Sequence, residues 1–170
     1  MVTELWGAAL YGDPCRECGF DWSISTDEAI QSVTNLPADF TRLLGERDGR
    51  ETVPGLSWSA ASYVCHVADN LRIWAERLSG ARVSGVLEVP GYDQDLLAQA
   101  RNYHDIGVGA ALWSVQSATD LWLDSVASAL AGHVVLIHAT RGRMTTAEVV
   151  RSSSHDGAHH VWDVRRILGY

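Results

Sequence analysis

Histidine residues with helical spacing are the most chemically informative feature of this sequence. His155 and His159 are four residues apart near the C-terminus, and His66 lies far upstream. On a helix, side chains at i and i+4 project from the same face, so two imidazoles can reach one metal ion. A third ligand from another helix leaves a coordination position open, as in catalytic zinc sites. The alternative is a helix face with two solvated imidazoles.

Residues next to these histidines have different predicted roles. His160 is about 100° further round the helix than His159, so it is expected to miss the metal. Asp163 follows His159 by four residues and Asp69 follows His66 by three. Either carboxylate is a candidate acceptor for the second ring N–H of a ligand histidine. The alternative for both is a solvated aspartate that pairs with a nearby arginine.

Cysteine residues offer a second, separate candidate site. Cys15 and Cys18 form a CxxC pair, which supplies only two of the four ligands of a structural zinc site. Cys65 is expected on the polar side of its helix, where the N-terminal segment would reach it. Three thiolates and one histidine would then close a zinc site. Candidates for the fourth ligand are His104, His133 and His138. A redox pair and two non-functional thiols are the alternatives.

Size and composition limit the class of protein. With 170 residues, the chain is expected to form one domain. A net charge of −8 argues against binding to nucleic acid or to an anionic membrane surface. No apolar run approaches the roughly 18 residues of a membrane span. The N-terminus lacks the basic and apolar regions of a signal peptide, so a cytoplasmic location is expected, in which three cysteines do not form a disulfide framework.

The elements that must position these residues are predicted to be helices. Residues 1–24 are interpreted as an irregular leader, and residues 25–170 as a single domain. Helix-start signals and apolar periodicity predict four amphipathic helices. Their expected spans are about 25–44, 59–78, 108–131 and 145–168. Pro37 is expected to kink or break the first helix, and residues 133–139 are a candidate strand. The prediction is an all-α, antiparallel four-helix bundle with a long crossover between the second and third helices.

Three segments of the sequence resemble the DinB-like family. They are WSAASYVCHVADNL (58–71), YDQDLLAQARNY (92–103) and HDGAHHVWDVRRIL (155–168), and they occur in the expected order. The resemblance extends from about residue 27 to residue 168. It implies a four-helix bundle that binds a divalent metal through three histidines. Carried over by position, the ligands are His66, His155 and His159, with water in the remaining positions. Zinc is the expected metal, with nickel, iron and manganese as alternatives.

The resemblance also implies an activity. The family includes thiol-dependent S-transferases and a thiol-dependent maleylpyruvate isomerase, so a thiol ionised at the metal would attack, or isomerise, a small electrophile. All 13 basic residues are arginine, which suggests a GC-rich bacterial genome of the actinobacterial type and hence mycothiol as the thiol. The candidates for binding an anionic substrate are Arg72, Arg77, Arg101 and Arg143.

Two other classes of function stay open at this point. One is a metal-binding bundle without turnover, such as a stress-associated protein. The other is a metal-dependent hydrolase, which requires only water and a general base. Whether the chain is an enzyme is therefore not fixed by the sequence. The expected partners are a small electrophile and a thiol, and a homodimer is one candidate for the oligomeric state.

Overall fold

Four long helices form the body of the molecule. The computed structural model describes residues 4–170. Its helices are α1 (Ala8–Tyr11), α2 (Thr26–Leu44), α3 (Ala60–Ser84), α4 (Gln94–Ala100), α5 (Val108–Ala131) and α6 (Thr146–Leu168). Both α2 and α3 pack mainly against α5 and α6, so α2 and α3 lie diagonally across the bundle although they follow each other in the sequence.

Local hydrogen bonds define the starts of helices α2 and α6. The Ser25 hydroxyl accepts a hydrogen bond from the backbone N–H of Glu28, whose carboxylate accepts one from the backbone N–H of Ser25. Thr145 and Glu148 form the same capping box at the start of α6. Each box pairs N–H groups that a helix start leaves without an intrahelical acceptor. The predicted starts of α2 and α6 are therefore confirmed.

Helices α2 and α3 are more continuous than predicted. Helix α2 continues through Pro37, which is buried within it. Helix α3 continues past Ser79-Gly80 to Ser84, six residues beyond the expected end. It stops at Gly85, whose φ of 71° is the left-handed conformation that glycine adopts most readily. The extra turn is stabilised by burial of Ala81 in the core.

The crossover between α3 and α5 is tied down by a small sheet. The crossover contains β1 (Glu88–Val89), α4 and a 3₁₀ turn at Tyr103–Asp105. Strand β1 pairs in parallel with β2 (Val135–His138), which pairs antiparallel with β3 (Gly142–Thr145). The candidate strand at 133–139 is thus present, and it brings His138 beside the crossover. None of the helices within residues 4–170 is long and apolar enough to cross a membrane.

The core fills the space between the four helices. Its largest fully buried side chains include Trp122, Phe40 and Leu71, which come from three different helices. Trp74 and Trp122 are buried in this core, whereas Trp113 is 71% exposed.

The leader lies against the bundle. Arg151 of α6 donates a hydrogen bond to the carbonyl of Ile24 (3.0 Å), and the backbone N–H of Glu4 donates to the carbonyl of Thr140 (2.9 Å). Met1–Thr3 lie outside the described residues. From residue 4 onward, the leader is therefore held on the bundle at both of its ends.

Candidate metal centres

The structure brings metal-ligating side chains together in two groups on α6. Cys15, Cys18, His155 and His159 form the Cys–His group. His66, Asp156 and His160 form the His–Asp group. Within each group the ligand atoms all lie within 4.8 Å of one another.

The ligand set carried over from the resemblance is divided between these groups. His155 and His159 lie in the Cys–His group, whereas His66 lies in the His–Asp group. The cause is one step of helix register: Asp156 and His160 are also four residues apart, and they project about 100° round α6 from His155 and His159. His160, which was expected to miss the metal, therefore lies beside His66 in the His–Asp group.

Helices α3 and α6 position the His–Asp group. The Nε2 atom of His66 lies 3.5 Å from Oδ1 of Asp156, and Nε2 of His160 lies 3.8 Å from the same oxygen. The two imidazole rings are edge to face, with centroids 4.8 Å apart. The three side chains thus converge on one point from two helices.

Asp163 fixes the orientation of one of these rings. Its carboxylate lies 2.9 Å from Nδ1 of His160 but 3.9 Å from Nε2 of His159. A hydrogen bond from Nδ1–H of His160 leaves the Nε2 lone pair of that residue facing Asp156 and His66. The predicted supporting carboxylate is therefore present, on the histidine next to the expected one. Arg166 also lies 3.5 Å from Asp163, so the ion-pair alternative holds as well.

Burial makes His66 a strong candidate ligand. Its side chain is 1% exposed, and neither ring nitrogen has a hydrogen-bond partner among residues 4–170. The Oδ2 atom of Asp156 is buried and unpartnered in the same part of the chain. Buried polar atoms without partners are costly and rare, and a cation between them would satisfy them. Two imidazoles and one carboxylate are a donor set that catalytic zinc sites use.

The electrostatics also favour a cation. Burial raises the pKa of Asp156, but the imidazoles of His66, His160 and His155 outweigh this effect and hold that pKa at about 2. Asp156 is therefore a carboxylate at neutral pH, the form that binds metal.

Asp69 does not support His66, contrary to the prediction that named it. Its carboxylate accepts hydrogen bonds from Tyr103 (2.6 Å) and Arg72 (2.6 Å), and Arg101 lies 2.9 Å away. Asp69 thus organises a buried polar network on α3. Arg72 and Arg101 are occupied in this network, which leaves them poorly placed to bind a substrate.

The Cys–His group joins the leader to α6. The Sγ atom of Cys15 lies 3.9 Å from Nδ1 of His159, and the other ring nitrogen of His159 lies 3.3 Å from the carboxylate of Glu17. The ring of His155 is enclosed by three leader aromatics, with centroid distances of 4.6 Å to Tyr11, 5.3 Å to Phe20 and 4.5 Å to Trp22.

This enclosure changes the chemistry of His155. Burial, followed by the neighbouring His159, lowers the pKa of His155 to about 4, so its ring is neutral at physiological pH. Its Nε2 atom is buried without a hydrogen-bond partner among residues 4–170. A neutral imidazole with an unpartnered buried nitrogen is suited to metal binding.

The predicted third ligand for the cysteine pair is elsewhere. Cys65 is buried in α3, and burial raises its pKa to about 12, so it is a protonated core thiol. His104, His133 and His138, the predicted fourth ligands, belong to neither group within residues 4–170. The side chains that join Cys15 and Cys18 are instead His155 and His159, which the sequence interpretation had assigned to the other centre.

A polar pocket of about 550 Å³ opens beside the His–Asp group. Asp156 is one of its lining residues, which connects the group to solvent. Others come from the leader, from α3, from the crossover and from the β2–β3 turn. They include Glu4, Tyr11, Asn70, Arg77, Tyr92, His138 and Arg141. The His–Asp group therefore has space next to it for a small molecule.

Comparisons with known proteins support the fold. Neither a protein-family profile nor a curated protein matches the sequence. The structure is similar to that of YfiT from Bacillus subtilis, a probable metal-dependent hydrolase with an unusual four-helix bundle topology. The TM-score is 0.70 and the sequence identity 18%, over 87% of this chain and 91% of that chain. At this identity the likeness establishes the fold, and the predicted four-helix bundle is confirmed.

Proposed function

We propose that this chain is a divalent-metal-dependent enzyme whose centre is His66, Asp156 and His160. The observation that carries the proposal is the convergence of these three unpartnered or weakly partnered groups beside a pocket. A divalent ion there would lower the pKa of a bound water or thiol and polarise an electrophile. Zinc suits the donor set, and nickel, iron and manganese are the alternatives.

Residues around the centre prepare it for this role. Asp163 holds His160 in the tautomer that presents Nε2 to the centre. Trp58 packs on the ring of His66 at a centroid distance of 5.1 Å, and Tyr63 packs on His160 at 5.1 Å. These contacts restrict both imidazoles without occupying their inward-facing nitrogens. The chain therefore fixes the ligands in advance, as a catalytic centre requires.

Two arginines in the pocket indicate an anionic substrate. The guanidinium of Arg77 stacks on Trp74 (4.7 Å) and Tyr92 (5.7 Å), and Arg141 lines the same pocket. Arg77 Nη1 and Arg141 Nε are buried without hydrogen-bond partners among residues 4–170. Buried N–H donors of this kind favour a carboxylate or phosphate group. Of the four arginines named from the sequence, Arg77 lines this pocket. Arg141, which was not named from the sequence, lines it as well.

The nucleophile divides the proposal into two activities. The sequence resemblance to the DinB-like family favours a low-molecular-weight thiol, with mycothiol as the first candidate. The thiol would lose its proton, and its sulfur would form a bond to a carbon of a small electrophile. The bond from that carbon to a leaving group, or to the oxygen of an epoxide, would break. The likeness to YfiT favours water and a hydrolase. We place thiol transfer first, and hydrolysis second.

One experiment separates these activities. The purified chain would be stripped with a chelator, reloaded with zinc and assayed with mycothiol plus monochlorobimane, and separately with p-nitrophenyl esters. A fluorescent thioether identifies thiol transfer, and p-nitrophenolate identifies hydrolysis. Asp156→Asn should lower both the product yield and the zinc content. The matched control is Asp124→Asn, which makes the same change at an exposed position of α5.

Two results would contradict the proposal. If zinc binds at this centre but neither product forms with a broad set of thiols, electrophiles and esters, the chain is a metal-binding bundle without turnover. If Asp156→Asn and Asp124→Asn retain equal zinc and equal activity, the centre is elsewhere.

A cytoplasmic location and a homodimer are also part of the proposal, and sedimentation of the purified chain tests whether it is a homodimer.

A further inference from the structure

The Cys–His group lies on a face of α6 that a four-helix bundle alone would leave exposed. His155 and His159 project away from the buried stripe of Val149, Ser153 and Val164. His155 is nevertheless only 5% exposed, because leader residues cover it. The leader contributes Cys15, itself 3% exposed, at the same place. Two thiols and two imidazoles therefore meet at the junction between the leader and α6.

We propose that Cys15, Cys18, His155 and His159 bind one structural zinc ion that fastens the leader to α6. The four side chains supply two sulfur and two nitrogen donors, the complete set of a closed tetrahedral zinc site. No open position is left for a substrate. This site is separate from the His–Asp centre in its ligands and in its function, and it does not depend on the proposed enzyme activity.

The loop that carries the thiols has the geometry of a ligand loop. The backbone N–H of Cys15 donates to the carbonyl of Phe20 (2.8 Å), and the N–H of Gly19 donates to the carbonyl of Cys15 (2.9 Å). Gly19 has φ of 75°, a left-handed conformation that closes the turn. The turn places both cysteine side chains within reach of the histidines on α6.

Glu17, between the two cysteines, orients one imidazole. Its carboxylate lies 3.3 Å from Nε2 of His159, and the Nδ1 atom of that ring faces Cys15. A hydrogen bond from Nε2–H to Glu17 leaves the Nδ1 lone pair for the metal. Metal-ligating histidines commonly have such a carboxylate on the second nitrogen.

The zinc would act on the pocket through the leader. Cys15 and His159 are 144 residues apart in sequence, so a shared ion joins the two ends of the described chain. The fastened segment includes Tyr11, which packs against His155 and also lines the pocket, and Glu4, which lines the same pocket. Loss of the ion should therefore free the leader and open one wall of the pocket.

Metal analysis of paired variants tests the proposal. The chain purified in zinc should contain about two equivalents. Cys15→Ser and His155→Ala should each lose one of them, whereas the control Cys65→Ala should keep both. In the cobalt-substituted chain, a near-ultraviolet thiolate-to-cobalt band should be present and should vanish in Cys15→Ser. The His–Asp centre contains no thiolate and cannot give that band.

The unaltered chain provides a second measurement in case a variant does not fold. Titration with an organomercurial should release one equivalent of zinc to a chromophoric indicator as the first two thiols react. Zinc content that is independent of thiol modification would overturn the proposal. So would a chain that, purified under reducing conditions in zinc, has a disulfide between Cys15 and Cys18.

Discussion

Helix α6 carries two pairs of potential ligands in adjacent registers, His155 with His159 and Asp156 with His160. Within residues 4–170, the second pair faces α3 and meets one further ligand, His66. The first pair faces the leader and meets two thiols. The leader adds two ligands to the first pair, which gives the four ligands of a closed zinc site. Helix α3 adds one ligand to the second pair, which leaves a coordination position open.

Charge separates the two groups further. Two thiolates would cancel the charge of a divalent ion in the Cys–His group, which suits a buried structural site. A single carboxylate in the His–Asp group would leave one positive charge on the side of the pocket, where Arg77 and Arg141 also lie. An anionic substrate would be attracted to the second group alone. Under the two proposals, one face of α6 serves stability and the other serves catalysis.

Neighbouring histidines on α6 provide the sharpest test of this comparison. His160→Ala should reduce turnover by roughly 10²–10³-fold, because the ion contributes several kcal/mol of charge stabilisation at about 1.4 kcal/mol per factor of ten. His159→Ala should mainly reduce stability. A structural ion present at about 1,000 times its Kd contributes about 4 kcal/mol, or roughly 10 °C in Tm for a chain of this size. Calorimetry and steady-state assays measure both effects. Identical profiles for the two variants would remove the distinction.

The supporting carboxylates should differ in the same direction. Asp163 is buried beside His160, whereas Glu17 is 62% exposed beside His159. Asp163→Asn should weaken zinc binding at the His–Asp group by about 10–100-fold. Glu17→Gln should change binding at the Cys–His group less, because water can replace an exposed acceptor. Competition with a chromophoric chelator measures both affinities. A larger effect from Glu17→Gln would reverse the expected order.

Sequence reasoning succeeded where the signal was local. Capping boxes and apolar periodicity gave the starts of α2 and α6 and the full span of α5. It did worse where tertiary packing decides. Nothing in the sequence near Gly80 shows that Ala81 is buried and extends α3, and nothing local shows that α2 and α3 lie diagonally.

The ligand sets were mixed because the motif HDxxHH contains two pairs with the same spacing. Spacing alone cannot choose between them, but the apolar phase of α6 could have helped. Asp156 and His160 continue the row of Val149, Ser153 and Val164, at i, i+4, i+7, i+11 and i+15. They therefore border the core. The outward-facing pair is covered by the leader, whose Cys15 is 144 residues from His159, and no helical periodicity predicts that contact.

Gly157 lies on α6 between the two residues of each ligand pair. Its substitution should affect the two metal groups only through packing. A Cβ at this position would overlap the side chain of Leu36 on α2, which is 2% exposed. Overpacking costs about 1–3 kcal/mol, and the higher helix propensity of alanine returns up to about 1 kcal/mol. Gly157→Ala should thus lower the free energy of unfolding by up to about 2 kcal/mol, as measured in urea, with both metals retained. If Leu36→Ala does not relieve the effect in a double-mutant cycle, the cause is not this contact.

The smallest expected effect is the loss of folding stability in acid that His138 causes in the pocket beside the His–Asp group. Burial, followed by the cations Arg141 and Arg77, lowers the pKa of His138 to about 4, and Glu4 opposes the shift. The Nδ1 atom of His138 accepts from the backbone N–H groups of Thr140 and Arg141 (3.3 Å each), which also requires the neutral ring.

The sign of the pH effect follows from linkage. Unfolded histidine has a pKa of about 6.5, so between pH 6.5 and 4 the unfolded chain binds more protons and folding is weakened. The contribution of His138 is complete above pH 6.5 and is lost as the pH falls to 4. Urea unfolding at pH 7 and pH 5 should show a larger loss for the wild-type chain than for His138→Gln. Because both chains release metal in acid, the difference between them isolates His138. Equal losses would mean that His138 does not stabilise this wall of the pocket through its neutral form.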